Sequence, residues 1–427
     1  MAASGLKIHY PISATTLDNG LRVQVCPDKY AAGVAINLWF RVGSGDESVG
    51  KTGFAHLFEH LMFQGSKNVM AGEHLGLIQS IGGQCNATTS FDRTNYFETV
   101  PKRGLELALW LEAERLASLD VSQTNLDTQR EVVKGERRQR YDNVPYGDFL
   151  ELILQLNFPP DHCYAHSTIG SMTDLENASL TDVKDFFNCW YRPDGAVISL
   201  VGDISENQGF ELVNKYFGDI PTGSNPVPKQ LRPNQLPAHN QVPVLRVTRQ
   251  VQRSTITCSW RTPPVTHPDF DAIQLALAVL AGSESSRLYR QLVRDSGEAE
   301  TITALDYGLV RGTSVAMIHS RVNPESTTET IRDHILMAIN KLCEDGPSEA
   351  ELSRVKAGFE HDWLSQLALI DSRANQMSGA YTLFDDVDYV NNQFDTVIAI
   401  TAEQVAQAAI KWLSPIAHGE LHYLGEQ

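Results

Sequence analysis

Six of the chain's 19 prolines stand at Pro221, Pro226, Pro228, Pro233, Pro237 and Pro243. Each proline fixes its own φ, lacks an N–H donor and turns the preceding residue away from the helical region, so neither a helix nor a central strand can run through such a stretch. The spacing predicts a linker over 221–243. It divides the 427 residues into an N-terminal domain over 1–220 and a C-terminal domain over 244–427. At roughly 100–200 residues per domain, each half is long enough to bury a core of its own.

Both halves run through a similar order of patterns. In the first, β-branched alternation predicts strands at 21–26, 33–42 and 84–100, with a helix over 51–62 between them. Apolar periodicity predicts helices over 103–119, 124–141 and 180–191, and Ala196–Val201 reads as a buried strand. The second half repeats the theme: strand 244–260, helices near 268–281 and 284–294, and strand segments across 301–322. Helices near 327–344, 348–370 and 401–413 and a last strand near 419–424 complete it. The expected fold class is α+β: two similar domains, each an antiparallel-rich sheet with helices packed on one face.

Fifty-two acidic against 35 basic residues give a net charge of −17, which opposes attraction to nucleic acid and to anionic membrane surfaces. Six scattered cysteines without a CxxC pair fit a reducing compartment and are read as buried thiols. The opening MAASGLKIHYPIS has no apolar signal-peptide core, so the expected location is cytoplasmic.

The chemistry is concentrated in Gly53-Phe54-Ala55-His56-Leu57-Phe58-Glu59-His60-Leu61. Histidines four apart on a helix project from one face and suit two nitrogens on one metal, while Glu59 edges the same face as a candidate general base. A helix whose histidines merely pack is the competing reading. Its weakness is the apolar setting, where two unpartnered imidazoles and a carboxylate cost several kcal/mol. A catalytic zinc needs a third protein ligand. In the helix over 124–141, Leu126, Gln129, Val132, Val133 and Glu136 share one side, which makes Glu136 the candidate and Glu131 a solvated charge. Glu106, Glu112 and Glu114 on the preceding helix are weaker competitors, expected to be solvated.

HLFEH with a glutamate 76 residues beyond His60, in QREVVKGERRQRYDNVPYG, resembles the inverted-motif zinc peptidases of the pitrilysin and insulinase family, in its short branch with the mitochondrial processing peptidase. DNGLRV, GGQCNATTSFDRTNYFETVP, HSTIGS, YRPDGAVISLVGDIS and SSRLYRQLVRDSG extend the resemblance over essentially the whole chain. It implies His56, His60 and Glu136 as zinc ligands and Glu59 as the base of an endopeptidase. Several members carry a supporting carboxylate seven residues before the ligand glutamate, where this chain has Gln129, an amide still able to orient a ligand by hydrogen bonding. The family counterpart of Gly82–Thr89 is an edge strand beside the zinc, which implies a peptide substrate bound by strand addition with Asn86 and Ala87 in contact; an ordinary sheet strand after a glycine turn is the competing reading.

The resemblance further implies an arginine and a tyrosine that complete the site from the second domain or from a partner subunit. Arg294 occupies the arginine position, but the tyrosine falls at Glu300 or Thr301. The expectation is a dimer, specifically a heterodimer whose homologous partner supplies the pair, unless Tyr289 or Tyr307 provides the hydroxyl. A non-catalytic assembly subunit is the alternative within the family, and a small-molecule metal hydrolase is a third reading. His162 and His166 in HCYAHSTIGS are expected in a loop without metal, and Arg137, Arg138 and Arg140 on an ion-paired helix face.

Overall fold

Val34-Ala35-Ile36-Asn37-Leu38-Trp39-Phe40 is an apolar run broken only by Asn37, and all seven residues are buried, so both its faces must be covered. The computed structural model, which describes residues 8–223, 225–230 and 233–426, shows how. Strands β1 (Ser13–Thr16), β2 (Arg22–Pro27), β3 (Val34–Phe40), β4 (Gln84–Thr89), β5 (Thr94–Val100) and β6 (Ala196–Gly202) form a sheet in the order β1-β2-β6-β3-β5-β4. Only the β2–β6 pair is parallel. Helices α1 (Phe54–Leu61), α2 (Glu73–Ser80) and α3 (Leu105–Ser118) pack near β4 and β5, and α4 (Gln123–Arg137) follows. On the other face, helix Ile370–Leu383 lies across β3 and β6. That face is polar: Ser378 donates to Ser199 Oγ at 2.8 Å and Trp39 Nε1 to Asn375 Oδ1 at 3.2 Å.

A second sheet joins β7 (Val244–Arg249), β8 (Thr255–Thr262), β9 (Ala299–Asp306), β10 (Ser314–Val322) and β11 (Gly419–Gly425) in the order β7-β11-β8-β10-β9. It repeats β2-β6-β3-β5-β4 strand for strand, with β7–β11 as its only parallel pair. Ile256, Cys258 and Trp260 point into a core shared with helices Phe270–Ala281 and Thr328–Asp345. The opposite face again meets one helix, Phe149–Asn157, where Asn157 Nδ2 donates to Ser259 Oγ at 3.0 Å. The fold is α+β, built of two mixed sheets with helices.

The chain divides into two compact units that are not consecutive in sequence. One gathers the described residues of Met1–Glu136, Thr168–Gln230 and Trp363–Phe394; the other gathers those of Arg137–Ser167, Leu231–Asp362 and Asp395–Gln427. Each sheet thus takes its polar-face helix from a segment remote in sequence. The described residues of 221–243 hold no helix or strand, and the first residues, on which the signal-peptide reading rests, lie outside the described set.

Two expectations are corrected. Only Cys26 and Cys258 are buried, the other four cysteines being half-buried; none of the six forms a disulfide. Glu112 is not solvated: the apolar face of α3 carries it under the sheet, fully buried, where the Arg115 guanidinium binds it. Among the described residues no helix is long and apolar enough to cross a membrane.

Candidate active site

The helix that carries His56, Glu59 and His60 is only eight residues long, too short to be stable without tertiary anchoring. Its anchor is at the N-terminus. Gly53 there adopts a φ of 93°, and a Cβ at this position would stand 2.7 Å from the Ile169 carbonyl oxygen. Across the contact, a Cβ on Gly170 would meet Gly53 N at 2.3 Å, so both glycines are required for the HSTIGS loop to lie against the helix start. Glu47 accepts from Gly53 N at 2.9 Å and from Ala55 N at 2.8 Å, satisfying two of the donors a helix leaves unpaired. Burial pushes its pKa well up, opposed by those two N–H groups. Thr52 donates from its backbone and its hydroxyl to Asp174 Oδ2, at 2.9 and 2.6 Å. Glu47 and Asp174 carry no pattern of their own in the sequence, and Gly170 is marked only by its place in HSTIGS.

One turn apart on α1, the His56 and His60 rings have centroids 4.8 Å apart. Glu136 on α4 brings Oε2 to 3.6 Å from His56 Nε2 and 3.3 Å from His60 Nε2. Donors held tetrahedrally at about 2.0–2.1 Å from a zinc ion stand about 3.4 Å apart, and the two distances bracket that value. The donor set of two imidazoles and a carboxylate fits zinc, with all three atoms within 4.8 Å of one another. Each side chain is partly open to solvent, which leaves room for a further ligand.

On α4 the buried stripe is Leu126, Gln129 and Val133, leading to half-buried Glu136. Val132, expected on the same side, is 45% exposed at the edge of the stripe. Glu131 points to solvent and pairs with Lys134 at 3.0 Å. Gln129 is buried about two turns before Glu136 on the same helix. Of the weaker competitors, Glu106 pairs with Lys215 on the surface and Glu114 accepts from Ser66, Asn68 and Ser118.

Glu59 does not join the triad of donors. Its Oε2 accepts from Thr89 Oγ1 at 2.6 Å, which ties it to β4. Burial raises its pKa, against the lowering effect of the Thr89 hydrogen bond and of His60. β4 is the edge of its sheet, so among the described residues one side of its backbone has no strand partner. Asn86 is exposed on it, with Oδ1 accepting the Ala87 N–H at 2.9 Å, while the Ala87 side chain is buried.

In the other unit, Arg294 is exposed in the π-helical turn Tyr289–Asp295. Glu300 on β9 pairs with Arg321 at 3.3 Å and Arg253 at 3.7 Å. Tyr289 packs against the core, and burial pushes the Tyr307 hydroxyl up to about 12. His162 stacks on Phe158 in a turn, and Arg137 holds Glu151 at 2.9 Å.

Two α+β units, the first with an HxxEH helix meeting a glutamate from a second helix, define a class of two-unit metallopeptidase-like proteins. The sequence pattern of Insulinase (Peptidase family M16) matches residues 22–152, and that of the Peptidase M16 inactive domain matches 177–359. The zinc protease PqqE of Helicobacter pylori is 32% identical over 359 residues, 83% of this chain and 80% of that protein. The mitochondrial-processing peptidase subunit beta of Saccharomyces cerevisiae is 26% identical over 216 residues, 50% of this chain and 46% of that one. A crystal structure of a protease from Helicobacter pylori superposes with a TM-score of 0.90 at 27% identity, covering 97% of this chain and 99% of that one. The chain belongs to peptidase family M16, and its curated relatives include proteins named zinc proteases.

Proposed function

We propose that the protein is a zinc-dependent endopeptidase that cuts extended peptides bound as an added strand on β4. The observation that carries this reading is the convergence of His56, His60 and Glu136 beside a carboxylate, Glu59, that is tied to that edge strand. His56, His60 and Glu136 would hold a zinc ion, which when bound would supply a Lewis acid for the scissile carbonyl and lower the pKa of a water beside Glu59. Glu59 takes the proton from that water and returns it to the leaving amine. β4 offers backbone N–H and C=O groups to the peptide, and exposed Asn86 adds a side-chain contact to its main chain. Strand addition reads backbone rather than side chains, which favours extended, unfolded segments over folded proteins. Buried Gln129 orients the ligand glutamate's helix from within the same stripe.

A homologous partner subunit supplies the arginine and tyrosine that hold the carbonyl oxygen, with Arg294 as this chain's own substrate-contacting arginine. Glu300, paired with two arginines on β9, supports this part of the reading, because an anionic side chain would repel a developing oxyanion rather than stabilise it. Six cysteines outside any disulfide and the acidic net charge favour a reducing, cytoplasmic setting without nucleic acid or membrane partners.

The test is digestion of a mixed peptide library by the zinc-loaded chain, alone and with a homologous subunit that lacks HxxEH. Weak cleavage alone and strong cleavage with the partner are expected. Full activity alone, unaffected by Tyr289→Phe and Tyr307→Phe, overturns the heterodimer. A washed sample that retains no zinc at neutral pH overturns the peptidase and favours a non-catalytic assembly subunit.

A further inference from the structure

Cys85 and Glu98 sit directly opposite each other on β4 and β5, so their side chains leave the sheet on one face. His74 on α2 covers them, its Nε2 2.5 Å from Glu98 Oε1. The nitrogen, the sulfur and a carboxylate oxygen all lie within 4.8 Å of one another. His74 is 4% exposed and Glu98 1%, whereas Cys85 is half-buried on the edge strand and gives solvent a route to the cluster. Among the described residues no N–H or O–H donor reaches Glu98 Oε2, and the Glu112 carboxyl interacts with the Glu98 side chain. A buried carboxylate oxygen beside a second buried carboxyl calls for a proton or a cation between them.

The surrounding charges narrow that choice. Glu112, fully buried, is bound by Arg115 and stands 3.9 Å from His74. Burial pushes Glu98 and Glu112 each up to about 7, and Glu112 is close enough to Glu98 to share a proton with it. His74 is pushed down to about 3 by burial and by Arg115, so the imidazole is neutral and free to ligate. With Arg115 positive and both carboxylates ionised, the cluster carries one negative charge too many for a buried site. A proton on Glu98 cancels it. So does a divalent cation that displaces two protons, one from Glu98 and one from the Cys85 thiol. A shared proton makes no use of the sulfur, whereas nitrogen, sulfur and oxygen donors together suit zinc.

We propose that His74, Cys85 and Glu98 form a second zinc site, separate from the cluster on α1, that pins α2 to the hairpin of β4 and β5. The ion inserts between His74 and Glu98 in place of their hydrogen bond, takes Cys85 as thiolate, and leaves Arg115 balancing Glu112. Because the site ties down β4 from beneath, it steadies the edge on which strand addition depends. The inference does not rest on the peptidase reading, since its readout is metal content and not hydrolysis.

The experiment strips the full chain with a chelator and reloads it with zinc, then in parallel with cobalt(II). The wild-type chain is expected to take up a second equivalent of zinc, and its cobalt form to show a thiolate-to-metal charge-transfer band that a site of two histidines and a glutamate cannot give. Cys85→Ser should abolish the band and lower the zinc content by one equivalent. The double variant His56→Ala with His60→Ala should lose the other equivalent and keep the band. Uptake of a single equivalent by the wild-type chain, or a band that survives Cys85→Ser, overturns the proposal and leaves the shared proton as the occupant. The wild-type measurement decides even if a variant fails to fold.

Discussion

Replacing Glu47 with Ala tests whether the short helix α1 is held by its anchor or by its own sequence. Glu47 accepts the Gly53 and Ala55 N–H groups at 2.9 and 2.8 Å from a buried position. A buried donor left without an acceptor costs about 1–3 kcal/mol, and loss of a helix cap about 0.5–2 kcal/mol. Partial entry of water into the space left by the carboxylate softens the first figure, so the expected loss is about 2–4 kcal/mol of folding stability. Set against a total of roughly 5–15 kcal/mol, the variant still folds. The damage is local: His56 is the third residue of the helix, within the turn that loses its cap, whereas His60 lies in the last turn. Zinc affinity should therefore fall about tenfold, equivalent to about 1.4 kcal/mol spent on reordering that turn. Urea unfolding of the metal-free chain measures the first quantity and competition with a chromophoric chelator the second. Glu47→Gln, which keeps one acceptor, should fall between wild type and Ala in both. An unchanged urea midpoint together with unchanged zinc affinity in Glu47→Ala refutes the argument that the N-terminal anchor organises the site.

Other perturbations separate roles within the same region. Glu59→Gln should retain zinc while peptide hydrolysis drops by several orders of magnitude, because proton transfer to and from the reacting groups is lost; substantial residual turnover removes Glu59 as the base. Glu136→Gln should weaken zinc binding, read by isothermal titration, while Glu131→Gln leaves it intact, since Glu131 only pairs with Lys134 on the surface; the reverse pattern refutes the helix-face argument. Gly53→Ala should lower the thermal midpoint, because the alanine must adopt a φ of 93° and push its Cβ against the Ile169 carbonyl, a combined cost of about 2 kcal/mol or more. In the second unit, Arg287 holds the Glu351 carboxyl down to about 2, below its usual range. A depressed carboxylate pKa adds stability above the unfolded value near 4.5 that fades as pH falls toward 2. Glu351→Gln should therefore cost about 1 kcal/mol at neutral pH and flatten the stability curve over that acid window; an unchanged acid limb shows that the pair contributes nothing.

Local chemistry fixed what the sequence alone could tell. Four-residue spacing on a helix puts His56 and His60 on one face in any protein, and the stripe Leu126, Gln129, Val133 selects Glu136 over Glu131 by angle alone. The repeat of strand and helix patterns on either side of the prolines likewise announces two similar α+β units, because period 2 and period 3.6 are properties of the local backbone. Tertiary structure decided the rest, since it depends on which surfaces meet. Helices Phe149–Asn157 and Ile370–Leu383 cover the polar faces of sheets far from them in sequence, and no local pattern states which serine or asparagine they will bond. The same holds for Glu112. In sequence it is one more glutamate on an acidic helix, and only the packing of α3 against the sheet puts it beside Arg115 and His74 in the interior. Nor could spacing reveal that Glu47 caps α1, that Thr89 ties Glu59 to β4, or that Cys85 faces Glu98. Each pairing is a meeting of side chains across strands and loops, set by register and burial rather than by any periodicity in the chain.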